Sequence, residues 1–423
     1  MDQVARSIEL TGISLDADPP ASMTAAGISF DLPQGVRLIG PVDPSVPRLQ
    51  LMGGDTEAGW YLELFRVPLI GERKVADLVE DRAMSILQEV RLRDLVETFD
   101  ATGREAARAT LALVPGQEPT VHLLAVETDE HTALLMAGRH EAKAGGSVRE
   151  LCESIAATAR VDSYNELVDP ESAMDAARRM IQDCRKEGLS SLLGPRSGKT
   201  QRFEVASPAI DLGICTETCR RSTEDGGQPW EVASKWMYEP KWPGHDRLAT
   251  TEVWHLGEGG VEYSYQFERT EAGQTTIEQT ERCGVEGGQV MRKVMAFRGS
   301  RSENIKVDET FASSPVLMKL YARIAQDANP RPLVVSIIET FTAGVAYCVV
   351  QPVGRTPLPG LSLREPAWTV RLMVDYDPAP VSVYFDDEGE LLAVSSDGHH
   401  WRERVDLPVE EDESPAPQRR PRR

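Results

Sequence analysis

The sequence predicts an α+β protein of two domains. A sheet with helices laid across it comes first; a connecting helix leads to a curved antiparallel sheet or incomplete barrel with one helix. Three observations predict this. The chain has 423 residues, beyond the length at which a single hydrophobic core keeps growing. Strand and helix periodicities alternate before about residue 200, and after it strand follows strand with turn signals about ten residues apart. Aromatic usage shifts at the same place: only Phe30, Trp60, Tyr61, Phe65, Phe99 and Tyr164 precede residue 195, and nineteen follow it.

The first domain is expected over 20–162, after an N-terminal segment at 1–19. A strand over 27–33 exits at Pro33 and Gly35, and further strands are expected over 48–52 and 60–67. A helix over 72–90 carries Val75, Leu78, Val79, Ile86 and Val90 on one stripe at helical spacing. Strands recur over 104–114, 120–126 and 131–137. A second helix opens at Ser147, with Glu150 completing a capping box and Val148, Leu151, Cys152 and Ile155 as its stripe. Laying both helices across one sheet is the simplest way to bury both stripes. The phrase Gly27-Ile-Ser-Phe-Asp-Leu-Pro-Gln-Gly35 and this order of elements resemble the PsbP-like family. That resemblance implies an α/β/α sandwich and a non-catalytic binding or assembly role, and it carries over no catalytic residue.

A connecting segment at 163–200 follows. Asp169 is a good N-cap, Pro170 suits the first helical position and Gly188 the stop, with Ala173, Ala177, Ile181 and Cys184 on one apolar side. Residues 189–201 read as a linker. The second domain spans 201–406. Val261, Tyr263, Tyr265 and Phe267 alternate with Glu262, Ser264, Gln266 and Glu268, the pattern of a half-buried strand. Turns are expected at 258–260, 272–273 and 286–288, a helix from a Ser314 cap and Pro315 to about Gln326, and hairpins at Asp387-Glu-Gly389 and Asp397-Gly398. This order resembles the LolA-like lipoprotein-carrier fold, which implies a concave face that holds an apolar ligand. Typical carriers are exported, so the resemblance is one of architecture and does not extend to lipoprotein transport.

Charge excludes some functions. Lys and Arg total 46 against 67 Asp and Glu, a net charge of −21, whereas nucleic-acid and anionic-membrane binders present a basic face. No run of about 18 apolar residues predicts a membrane span. The most apolar stretch, 333–353, is interrupted by Ser336, Glu339, Thr340 and Thr342 and reads as two strands. The N-terminus carries Asp2, Glu9, Asp16 and Asp18 and no apolar core, so no signal peptide and a cytoplasmic location are expected. Cys152, Cys184, Cys215, Cys219, Cys283 and Cys348 are then reduced and buried. The tail at 407–423 reads as disordered, its four acids at 410–413 offset by Arg419, Arg420, Arg422 and Arg423.

Most motif-like phrases reduce to ordinary structure. Gly194-Pro-Arg-Ser-Gly-Lys-Thr200 has one residue too few between its glycines for a phosphate loop and precedes a strand rather than a helix. Cys215 and Cys219 would share a metal on a helix, but on a strand they lie roughly 13 Å apart, so structural thiols are expected. His399 and His400 point to opposite faces of a strand and read as an edge-hairpin pair, while His140-Glu141 lacks a second histidine. Asp386-Asp387 suits a turn.

One feature resists that reduction. Trp230, Trp236, Tyr238, Trp242 and Trp254 fall within 25 residues, with Pro240 and Pro243 suggesting a partial loop. Core packing is one reading, and a loop over the mouth of a curved sheet is the other. The residues expected to bind a ligand are Trp236, Tyr238, Trp242, Trp254, Tyr263, Tyr265 and Phe267. No catalytic residue, metal or cofactor is expected. The reading is a non-enzymatic binding protein for an apolar ligand or a protein segment, with a two-domain interaction or assembly factor as the alternative and an enzyme with an inter-domain site as a third.

Overall fold

The computed structural model describes residues 21–405 apart from 26, 33–35, 40–47, 55–58, 90–94, 114–119, 165–167, 208–209, 222–228, 241–247, 285–287, 297–298, 359–365 and 397–399. The expected N-terminal segment, the tail, most of the 286–288 turn, the Asp397-Gly398 turn, His399 and Trp242 lie outside the described residues.

The first domain contains β1 (Ala21–Ala25), β2 (Ile28–Leu32), β3 (Arg37–Leu38), β4 (Arg48–Gly53), β5 (Trp60–Pro68) and α1 (Val75–Leu87). It continues through β6 (Glu97–Asp100), β7 (Glu105–Leu111), β8 (Val121–Asp129), β9 (Thr132–His140), α2 (Gly145–Thr158) and β10 (Arg160–Val161). Seven strands form one antiparallel sheet in the order β3-β4-β5-β9-β8-β7-β6. Its central strands β5, β8 and β9 are buried on both faces because both faces are covered. Leu62, Leu64, Leu124 and Leu134 meet Val148, Cys152 and Ile155 of α2 and Phe30 of β2. Phe65, Val67, Leu123 and Leu135 meet Val75, Leu78 and Met84 of α1. The expected sandwich is present.

The expected capping box is not. A 3-10 turn over Ala142–Ala144 runs into α2, whose N-cap is Ala144 with no side-chain cap bond, so Ser147 lies inside the helix. Gly145 permits this early start, since a Cβ there would sit 2.9 Å from the His140 ring.

His122 of β8 is buried, its Nδ1 3.1 Å from the Thr110 hydroxyl, and burial pushes its pKa down to about 4. The unfolded chain therefore takes the proton first. Stability is expected to be full above the ordinary histidine value and to fall by up to about 3 kcal/mol as the pH drops toward 4. Melting temperature against pH should flatten over that window in His122→Leu.

Two helices connect the domains, α3 (Pro170–Glu187) and the short α4 (Leu189–Leu193). The expected cap holds: the Ser172 N–H donates to Asp169 Oδ1 at 3.3 Å, and Gly188 ends α3 at φ 76°. The expected linker does not. Leu189, Leu192 and Leu193 sit at helical spacing and are buried in the second core, and the Leu189 N–H donates to the Glu258 carbonyl at 2.9 Å.

The second domain begins with β11 (Lys199–Ser207), β12 (Ile210–Arg221), β13 (Trp230–Pro240), β14 (Leu248–Leu256), β15 (Tyr263–Glu271), β16 (Gln274–Cys283), β17 (Gln289–Ala296) and β18 (Gly299–Lys306). After α5 (Ser314–Ala325) come β19 (Leu333–Ile337), β20 (Ala346–Thr356), β21 (Ala367–Val374), β22 (Asp377–Phe385), β23 (Leu391–Ser396) and β24 (His400–Arg404). The N-cap of α5 is Ser313, one residue before the expected Ser314. These fourteen strands form one antiparallel sheet in the order β18-β17-β16-β15-β14-β13-β12-β11-β24-β23-β22-β21-β20-β19. β24 is thus no edge. It pairs with β23 on one side and β11 on the other, joining two meanders that are each built from local hairpins.

The sheet curls without closing into a barrel. A parallel bridge links Phe311, in the segment between β18 and α5, to Ser336 of the end strand β19. The buried Arg292 of β17 donates to the Glu339 carbonyl and, at 2.5 Å, to the Thr342 carbonyl, so the β19–β20 loop fills the seam. Phe341 and Ala343 of that loop pack on the α1 core of the first domain. α5 lies inside the curl, with Leu320, Tyr321 and Ile324 buried against Val350, Val370 and Val383.

Candidate ligand cavity

Beside α5 the curl is not filled. A cavity of about 920 Å³ runs between α5, the strands facing it, the β19–β20 loop and the Arg82–Ile86 side of α1. Trp254, Ile337, Ile338, Leu372, Val374 and Val381 line it and remain only partly buried, although they pack on the edge of the second core. Phe311, Tyr321 and Tyr376 add aromatic surface.

Polar groups gather at the end nearest the first domain. Glu339 follows β19 in the loop, where it lines the cavity with an exposed side of its residue surface. The Tyr376 hydroxyl donates to its carboxyl, and burial raises its pKa above the usual carboxylate range. Asp377 pairs with Arg82 across the domain boundary through Oδ2, while its Oδ1 is buried with no hydrogen-bond partner. Glu281, also in the lining, has its pKa raised by burial and accepts from the Tyr263 hydroxyl at 3.1 Å. The Cys348 thiol in the wall is raised by burial and stays protonated.

The expected aromatic residues share one face. Directly opposed residues point the same way, and a row runs across six neighbouring strands through Cys219, Val232, Trp254, Tyr265, Glu281 and Arg292. Trp254 lies 4.2 Å from Tyr265 and 5.3 Å from Tyr263 between ring centroids, and Tyr263 is 6.2 Å from Phe311. Trp254 borders the large cavity. It also borders, with Trp236, an adjoining space of about 160 Å³ beside Met318. Tyr238 stacks on Trp236 at 6.1 Å, and Phe267 packs on Ile277 and Val294. Trp230, buried at the start of strand β13, lies with Trp236 and Tyr238 along one face of it, while the part of the expected loop around Pro243 lies outside the described residues. Cys215 and Cys219 lie along one strand, and all six cysteines are buried thiols outside any disulfide.

Sequence reasoning missed Glu339, Tyr376, Asp377, Glu281 and Arg82. Only Glu339 left a signal: an acid inside the most apolar stretch of the chain, read at first as a break between strands. The other four look like ordinary strand and helix residues until distant segments meet. Among the described residues no helix is long and apolar enough to cross a membrane, and no three His, Cys, Asp or Glu side chains cluster as metal ligands.

No family model matches the chain, and no curated protein matches it in sequence. Among solved structures, a beta-barrel-like protein of a domain of unknown function, DUF1849, from Brucella abortus is similar over 49% of this chain and 98% of its own, at 10% identity and a TM-score of 0.36. The solution structure of cyanobacterial PsbP (CyanoP) from Synechocystis sp. PCC 6803 is similar over 36% of this chain and 96% of its own, at 16% identity and a TM-score of 0.25. The PsbP resemblance is thus a weak one of fold, and the lipoprotein-carrier resemblance stays an expectation.

Proposed function

We propose that the protein is a non-enzymatic binding protein that holds an apolar ligand in the cavity beside α5. One observation carries the reading: apolar side chains inside the curled sheet, among them Trp254, Ile338, Leu372 and Val381, have no protein neighbour on their cavity side. The cavity of about 920 Å³ is partly open to solvent. Water or a ligand therefore fills it. Apolar walls favour the ligand by about 25 cal/mol for each Å² withdrawn from water, and the volume falls within the roughly 300–1,000 Å³ of small-molecule pockets.

Nile red, a neutral apolar dye, tests this. It should bind the wild type saturably, one molecule per chain. Ala379→Phe, which places a ring in the cavity from β22, should weaken binding by about tenfold or more with little change in melting temperature. Absence of saturable binding, or binding indifferent to Ala379→Phe, would overturn the proposal.

A further inference from the structure

We infer that the ligand is a cationic amphiphile, an apolar chain bearing an organic ammonium head, with the head held between Glu339, Asp377 and the aromatic rings of Tyr376, Tyr321 and Trp254. The inference rests on the binding reading above and names its ligand class.

Charge pairing around Glu339 is unequal. Four carboxyls, those of Asp81, Asp375, Asp377 and Glu339, interact there, because the first three each disfavour ionisation of the fourth. Only two guanidiniums answer them. Arg73 is engaged by Asp81 and Asp375, and Arg82 by Asp377. Among the described residues none offers Glu339 a cation. Desolvation and the neighbouring carboxyls of Asp377, Asp375 and Asp81 all push the Glu339 carboxyl toward its protonated form. An incoming cation would favour the ionised carboxylate of Glu339 and would lie beside Asp377, which lines the same cavity.

The walls suit such a head. Trp254, Phe311, Tyr321 and Tyr376 line the same cavity as Glu339, and aromatic faces attract alkylammonium groups, more strongly when water is excluded. An anionic head would instead meet the carboxyls of Glu339 and Asp377 at the polar end, where Arg82 is already paired with Asp377. Ile337, Leu372 and Val381 in the remaining lining accommodate the chain.

The test displaces Nile red from the full-length protein with three probes of equal chain length: dodecyltrimethylammonium, dodecanol and dodecanoate, each below its micelle concentration. The ammonium should bind about tenfold or more tightly than the other two. Its charge does not titrate, so a pH dependence of its affinity belongs to the protein. Affinity should rise with pH as Glu339 gives up its proton. Glu339→Gln keeps the side-chain size and an acceptor for Tyr376, and it should abolish both the preference and the rise. Asp377→Asn, read in the same way with melting temperature as the folding control, should weaken the ammonium selectively. Equal binding of the three probes, tightest binding of dodecanoate, or a preference unchanged in both variants overturns the ligand class while leaving the cavity reading intact. Failure of Nile red itself to bind overturns both.

Discussion

Replacing Arg73 by methionine is expected to lower stability at neutral pH by about 3–5 kcal/mol. Arg73 stands just before α1. It donates to Asp81 of α1 at 2.7 Å and grips Asp375 of the second domain with two bonds, at 3.0 and 3.2 Å. The side chains of all three are buried, and the two carboxylates hold the guanidinium firmly in its charged form. Asp81 also accepts the Ala343 N–H at 2.6 Å, so one charged group organises α1, the β19–β20 loop and the turn after β21 together. Without Arg73 two buried carboxyls face each other with no cation. The loss should shrink in acid, where both take protons, and the triple change Arg73→Met, Asp81→Asn, Asp375→Asn should recover most of it. Urea denaturation at pH 7 and pH 5 measures both; a loss below about 1 kcal/mol at pH 7 would show that the domains do not depend on this cluster.

Trp230→Ala is expected to cost about 3–5 kcal/mol for a different reason. The indole is 2% exposed at the start of β13, and its N–H donates to Glu258 at 3.0 Å. The same Glu258 accepts the Ser190 N–H at 2.9 Å through its side chain and the Leu189 N–H through its carbonyl. Truncation therefore removes a large buried ring and loosens the clamp that seats α4 on the sheet. Faster proteolysis within 188–198 should accompany the loss of stability. Trp230→Phe keeps most of the packing and should cost markedly less. A clamp that survives Trp230→Ala, with cleavage unchanged, would reduce this residue to core volume alone.

The contrast between these tryptophans and the acids of the cavity shows what could be read in advance. Tyr263, Tyr265 and Phe267 lay on one face by alternation alone, and Asp169-Pro170 and Gly188 bracketed α3 by cap chemistry. Those signals span only a few residues and are set by local backbone geometry. Leu189, Leu192 and Leu193 carried a helical stripe too short to stand out against neighbouring Ser, Gly and Pro, and its helix forms because a core is there to receive it. Trp236 and Tyr238 looked loop-like beside Pro240, yet a strand pairs across both of them.

Sequence by itself determined the α+β class, the change of character near residue 200, the sandwich of the first domain and the shared face of Tyr263, Tyr265 and Phe267. Tertiary structure alone decided that β24 joins the two meanders, that α5 fills part of the curl and leaves a cavity beside it, and that the Tyr376 hydroxyl meets the Glu339 carboxyl in the wall that Asp377 also lines. The reason is separation along the chain. Arg73 and Asp375 are 302 residues apart, and Phe203 opposes Arg404. Periodicity records which face of an element is apolar, but it holds no record of which distant element covers that face, nor of how much of it is left uncovered.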